Sequence, residues 1–188
     1  MDDSAELRLW ERARQNDGEA FGRLFDLHRV RVYRRALALV EDQHDAEDVT
    51  AAAFFELWRK RHRVAPVNGS VVPWLLVTVV NVSRNLRRST IRYRRFLSAA
   101  PRAETVRPPD AELVETRQRL AAALRELSPV DSALLVLTAL EGMPITEAAE
   151  AVGLKPATAR VRLHRVRQRL RADLHDLDPR PLPAEGIS

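Results

Sequence analysis

Apolar residues along this chain recur every three or four positions, the spacing of helices, and no run alternates as a strand would. From Asp3 to Gln15, Leu7, Trp10 and Ala13 share one helical face. Asn16, Asp17 and Gly18 break that helix, and Asp17 is placed to cap the next. Glu19 to Val40 predicts an amphipathic helix, with Phe21, Leu24, Phe25, His28, Val32, Ala36 and Leu39 on its apolar side. A histidine on such a face reads as a core or boundary residue before it reads as a ligand. Glu41 to Arg63 crowds Asp42, Asp45, Glu47 and Asp48 at its start and basic residues at its end. Both ends suit the helix macrodipole. The acids also exceed what capping needs, so a docking surface for a basic partner is a second reading. His44, Glu47 and Asp48 lack the matching second ligand pair that a metal site would need. Phe54 and Trp58 form an i, i+4 aromatic pair of the kind that fills cores.

Val64 to Val72 carries Pro66, Asn68, Gly69 and Ser70 and predicts a loop. Pro73 then opens a helix to about Leu97. Its apolar side holds Leu75, Val79, Val82 and Leu86, and its polar side holds Asn81, Arg84, Asn85, Arg88, Arg92 and Arg95. Trp74 heads the polar side. Amides and guanidinium groups behind an indole can grip a nucleic-acid backbone and stack a base. The alternative is a solvated face with Trp74 as a buried anchor. Ser98 to Asp110 is proline-rich and predicts a semi-extended linker. Asp110 to Leu127 predicts a helix with Leu113, Leu120, Leu124 and Leu127 on one side. Ser128, Pro129 and Asp131 then begin a helix that runs to Leu140.

The most informative stretch follows. Ile145 to Val152 predicts a short helix, Gly153 stops it, and Pro156 suits the first position of a longer helix reaching Leu174. Ala159, Leu163, Val166, Leu170 and Leu174 fall on one side of that helix. Arg160, Arg162, His164, Arg165, Arg167, Arg169 and Arg171 fan across the other. A short helix, a glycine turn and a basic helix make a helix-turn-helix, which presents guanidinium groups to phosphates and base edges.

The bulk numbers narrow the classes. The chain has 188 residues, 45% hydrophobic, with a formal net charge of +5 and a pI of about 10.5. That excess fits a polyanion partner. The absence of cysteine excludes disulfides, thiolate metal sites and thiol nucleophiles. The charged N-terminus lacks a signal peptide's apolar core, and Val71 to Val80 is too short to span a bilayer, so a soluble cytoplasmic protein with no membrane insertion is expected. No Gly-rich phosphate loop, Ser/His/Asp arrangement or metal cluster points to an enzyme or a cofactor.

Two separate blocks carry a family resemblance. DAEDVTAAAFFELW (Asp45 to Trp58), continuing through WLLVTVVNVSRNLRRSTIRYRR (Trp74 to Arg95), resembles region 2 of the extracytoplasmic-function sigma factors of bacterial RNA polymerase. Leu127 to Arg171 resembles their region 4. The resemblance implies an all-α fold of two small domains. Residues 1–97 would form a region 2 helical bundle, 98–110 a flexible linker, 111–176 a four-helix region 4 domain with the helix-turn-helix, and 177–188 a disordered tail.

The function implied is a polymerase specificity subunit with no catalytic site of its own. Its partners would be core RNA polymerase, promoter DNA both as duplex and as melted single strand, and an anti-sigma factor. Asp45, Glu47, Asp48 and Trp58 match the core-binding segment. Asn68, Gly69 and Ser70, with Trp74, Asn81, Asn85 and Arg88, match the surface that reads and melts the minus-ten element. Thr158 matches a phosphate-contacting position before the minus-thirty-five reading face, to which Arg160, Val161, His164 and Arg165 correspond. Arg162 and Arg167 would hold the backbone or the fold.

The chain departs from the family pattern at Ala51 and Ala52 (commonly Gln and an acid), Asn85 (commonly Asp), Ala148 (commonly Ile) and Val161 (commonly small and polar). A stand-alone helix-turn-helix regulator is the other reading, and such a protein has no reason to carry the block from Asp45 to Arg95.

Overall fold

Capping residues fix where the helices begin. The computed structural model describes residues 3–40, 42–97 and 126–173. Helix α1 is Asp3–Arg14 and α2 is Gly18–Leu37. Asp17 caps α2 by accepting from the Ala20 amide at 3.0 Å, while Arg12 Nε donates to its other oxygen at 2.8 Å. Asp42 caps α3, Gln43–Arg59, through the His44 amide. The loop that follows is tighter than its sequence alone suggests. Val67 and Ser70 pair as an isolated antiparallel bridge across Asn68 and Gly69, whose φ angles are 49° and 75°. Two positive φ angles in a two-residue turn are what Asn-Gly supplies at least cost. Helix α4 is Val72–Leu97.

The second half begins at α5, Pro129–Leu135, with Ser128 accepting from the Asp131 amide at 3.1 Å and proline in the first turn. This helix continues as a π turn, Val136–Leu140. Helix α6 is Ile145–Ala151 and α7 is Pro156–Asp173. Between them Gly153, at φ 70°, lets its own amide reach Glu150 O and lets the Leu154 amide reach Ala149 O at 2.8 Å. That pair of bonds is the Schellman stop, and Leu154 packs against the apolar cluster that contains Ala149. The predicted linker 98–110, the predicted helix from Asp110 as far as Arg125, Leu174 and the tail lie outside the described residues.

Helices α1 to α4 enclose one core, in which Trp10, Leu24, Val49, Leu57, Leu75 and Val79 have no exposed surface. His28 is buried at 7% exposure, a core histidine. The second half joins the first through α4. The sequence pattern gives α4 one apolar side, and the structure uses two. Val72 and Leu76 point away from the first core and are buried with Leu134, Leu137, Ala148, Ala149 and Ala159. Ala148, where bulk is more usual, is one of the small residues in this shared cluster. Leu39, just after α2, packs against both the first core and a third cluster of Leu127, Leu135, Leu163 and Val166. The described parts of the two halves therefore pack on each other.

Polar contacts close the same seam. Glu141, after the π turn, lies 2.8 Å from Arg31 and 2.5 Å from Arg35 of α2, and its side chain is only 6% exposed. Arg35 also donates to Leu140 O at 3.2 Å, holding the end of the π turn. π turns bond poorly on their own and persist where other contacts support them. Arg84 of α4 donates to Ser132 of α5 at 3.3 Å.

Reversing the charge at Glu141 would press a cation against two arginines. The expected cost to closure for Glu141→Lys is about 1–3 kcal/mol, below the fully buried figure because Arg31 is half-exposed. Small-angle scattering of the full chain should show a larger radius of gyration than wild type at low salt, and equal radii would show that the apolar contacts alone hold the halves together.

Candidate functional site

Three exposed faces collect the residues singled out in the sequence. The first is on α3. Glu47 and Asp48 are exposed, and Asp45 is half-buried in the first turn. Ala51 is exposed and Ala52 half-buried, so the departures there leave a shallow surface. Trp58 is half-buried, with its ring 4.9 Å from Phe21 and the Arg61 guanidinium 4.3 Å above it. That packing commits much of the indole to the fold. The basic end of α3 is partly spent as well. Arg59 and Lys60 both pair with Glu56, whose carboxyl they hold down to about 2. Sequence reasoning missed Phe55. It is 64% exposed and stands seven residues after Asp48, two turns along the same side. The adjacent Phe54 is 3% exposed. The signal was present, since two consecutive aromatics on a one-sided helix cannot both face its core.

The second face combines the Asn-Gly turn with α4. Asn68 is exposed at the turn tip, and Gly69 and Ser70 are half-buried. Ser70 Oγ accepts from the Val72 amide at 3.1 Å, which caps α4. Below the turn, Oε1 of Glu6 accepts from Ser70 Oγ at 2.9 Å and from the Val71 amide at 2.8 Å, and it stands 3.1 Å from His28 Nε2. Burial raises the Glu6 carboxyl, but the bonds from His28, Val71 and Ser70 outweigh it and leave it below the usual carboxylate range. Asn81 and Asn85 are exposed one turn apart on α4. Trp74 is half-buried and packs against the first core, as an anchor would. Arg88 continues α4, with its side chain outside the described residues.

The third face is on α7. Ala159, Leu163 and Val166 seal its inner side. Thr158, Arg160, His164, Arg165 and Arg167 are exposed, and Val161 is 52% exposed. Arg160, His164 and Arg167 border a groove of about 520 Å³ whose other wall is Thr138, Met143 and Ile145. Arg162 differs from its neighbours. Its Nε donates to Asp131 Oδ1 at 2.7 Å, and Nη2 reaches Asp131 Oδ2 and Ser128 Oγ at 3.2 Å. It therefore clasps the start of α5 and holds α7 in place. Burial raises the Asp131 carboxyl, and the bonds from Arg162 and Ser128 more than offset that, leaving it low. Among the described residues no group of three or more metal-ligating side chains comes together, and no helix is long and apolar enough to cross a membrane.

Comparison with known proteins follows the same division. Residues 24–93 match the family model for sigma-70 region 2, and residues 117–170 match that for sigma-70 region 4. The RNA polymerase sigma factor CarQ of Myxococcus xanthus is 32% identical over 173 residues, covering 89% of this chain and 97% of CarQ. The chain belongs to the extracytoplasmic-function sigma factors. One member named as such, SigE of Mycolicibacterium smegmatis, is 35% identical over 77% of this chain and 57% of SigE. The fold of this sigma factor resembles that of CnrH, solved in complex with the cytosolic domain of CnrY, with a TM-score of 0.63, 26% identity and coverage of 93% and 99% of the two chains. The protein is thus an RNA polymerase sigma factor that acts in promoter-directed transcription initiation. The alternative of a stand-alone regulator is not favoured.

The Arg162 clasp makes a testable contribution to the stability of this sigma factor. Arg162→Met removes charge-assisted bonds from a partly exposed pair, so a loss of about 1–2 kcal/mol is expected at pH 7. Because folding depresses the Asp131 carboxyl, its contribution is full above the ordinary value of 3.8 and is lost as pH falls through the lowered folded value. Thermal unfolding followed by circular dichroism should show the variant below wild type at pH 7 and the gap closing below 3.8; equal melting temperatures at pH 7 would refute the clasp.

Proposed function

We propose that the three faces divide the work of a sigma factor. The α3 face, with Asp45, Glu47 and Asp48 and the exposed Phe55, docks on core RNA polymerase through charge and an apolar anchor. Trp58 stiffens that face from within. The Asn68–Ser70 turn and the amides of Asn81 and Asn85, continued by Arg88, capture unstacked bases of the melted minus-ten strand. Helix α7 enters the major groove of the duplex at the minus-thirty-five element. There Arg160, His164 and Arg165 supply hydrogen bonds, Val161 an apolar contact, and Thr158 and Arg167 hold phosphates.

One observation carries this reading. A single chain presents an acidic and apolar face on one half and a sealed helix-turn-helix with an exposed basic face on the other. A duplex-binding regulator needs only the second. On this reading the chain contributes recognition and strand capture, and the polymerase contributes the chemistry.

The packed halves describe a resting form. Elements centred about 25 base pairs apart are about 85 Å apart along straight duplex, at about 3.4 Å per base pair. Halves that share a buried cluster cannot reach both, so promoter engagement requires them to part. A protein that binds the separated or the closed form would regulate access. The CnrH complex with the cytosolic domain of CnrY supports a protein partner for this chain, and the family resemblance makes an anti-sigma factor the expected one.

Run-off transcription with purified core polymerase on a pool of promoter fragments tests the reading. Defined starts that depend on this protein are expected, and their alignment should give two elements. Asp48→Arg should reduce those transcripts through weaker core binding while leaving thermal stability unchanged; unaltered core affinity would remove Asp48 from the contact. Arg165→Ala should cost about 1–3 kcal/mol of discrimination at one base pair of the minus-thirty-five element. That is read from binding of variant promoters, and an unchanged base preference would take Arg165 off the reading face.

A further inference from the structure

Glu6 occupies an odd place for a carboxylate. It lies on the inner side of α1, one turn before Trp10 and two before Ala13, both fully buried. An apolar residue there would serve packing at lower desolvation cost. Instead Glu6, itself 9% exposed, directs one oxygen at three groups from other parts of the chain. They are the Ser70 hydroxyl, the Val71 amide and the His28 imidazole, at 2.9, 2.8 and 3.1 Å.

Two of these three belong to the junction between the Asn-Gly turn and α4. Ser70 closes the Val67–Ser70 bridge and caps α4 through the Val72 amide. Val71 is fully buried, and Val72 starts the shared cluster with the second half. Asn68 at the turn tip is exposed, and Val67 and Ser70 bond to each other across it. The base of the turn, where the chain enters α4, is held by Glu6. His28, from α2, brings its Nε2 to 3.1 Å from the same oxygen. Recognition of a flexible single strand depends on donors and acceptors held in place before the strand arrives, because ordering them on binding would cost affinity.

We propose that Glu6 is a positioning residue for minus-ten capture: through Ser70 and the Val71 amide it fixes where Asn68 and Gly69 stand relative to Asn81 and Asn85. Glu6 does not itself touch DNA. The proposal rests on the reading of the turn as part of the minus-ten surface.

The test uses the holoenzyme assembled from core polymerase and the full chain, on a promoter carrying 2-aminopurine in the minus-ten element. Three variants are compared with wild type: Glu6→Ala, Glu6→Gln, which keeps an acceptor oxygen at the same reach, and Ser70→Ala, which removes the loop's end of the bond. Core affinity, protection of the minus-thirty-five duplex and the opening signal are measured for each. Glu6→Ala is expected to reduce opening about tenfold or more, the factor of one charge-assisted hydrogen bond, with the other two readouts within about twofold. Ser70→Ala should fall on the same side, and Glu6→Gln should recover most of the signal.

Opening by Glu6→Ala and Ser70→Ala at the wild-type level would overturn the proposal. So would a loss by Glu6→Ala shared equally among opening, core affinity and duplex protection, since that is the mark of a merely structural residue. If circular dichroism shows Glu6→Ala unfolded, Glu6→Asp, which keeps the charge and shortens the reach, takes its place in the same three readouts, and a wild-type opening signal would overturn the proposal. Wild-type holoenzyme that binds core and duplex but never opens the element would instead strike the minus-ten reading itself.

Discussion

Helix α4 must bury two apolar faces at once, and the arrangement of both halves depends on it. Leu75 and Val79 belong to the core of the first four helices, and Val72 and Leu76 to a cluster with α5, α6 and α7. A stripe such as Val72 and Leu76 left in water would cost about 1.5–3 kcal/mol for each fully buried side chain. That is comparable with a modest binding energy, so a second surface covers it. In the closed form the chain supplies that surface itself. The polar face of α4, with Asn81 and Asn85, is what remains exposed.

Around this helix, three buried or half-buried acids are each answered by donors from a distant part of the chain. Glu6 meets the base of the turn, Asp131 meets Arg162, and Glu141 meets Arg31 and Arg35. Such pairs add little net stability over apolar packing and more to the choice of one geometry, because an unmatched partner left behind is costly. Each one fixes something different. Glu6 fixes a turn, Asp131 fixes the pose of the helix that carries the basic face, and Glu141 fixes one half against the other. Only the last lies across the seam between the halves, and it includes a half-exposed arginine that salt can screen.

Membership in the sigma family rests on two matches in order along one chain, and the geometry gives that order a meaning. The recognition helix is sealed on one side by Ala159, Leu163 and Val166 and open on the other. The α3 face is open where acids and Phe55 cluster. Neither face is buried in the seam between halves. The packing of the halves thus leaves both faces exposed.

Much of this was legible in the sequence, and the reasons are local. Asp17 and Ser128 as caps, Gly153 as the helix stop, Pro129 and Pro156 in first turns and the apolar side of α7 all follow from backbone geometry and helical period, which act within a few residues. The three exposed faces could be named for the same reason. Three features needed the fold. The second apolar side of α4 was invisible because a run such as VVPWLLVTVV is apolar all round, and periodicity cannot say which neighbour takes which side. The family resemblance set Arg162 and Arg167 apart together, and only the fold separates the two, by placing Asp131, 31 residues away, beside Arg162. Nothing in the sequence pattern marks Glu6 or Glu141, because their partners lie 64 and 106 residues away. Helix starts and stops are decided by neighbours in sequence, whereas the pairing of charges and the covering of a second face are decided by neighbours in space, which only the tertiary structure supplies.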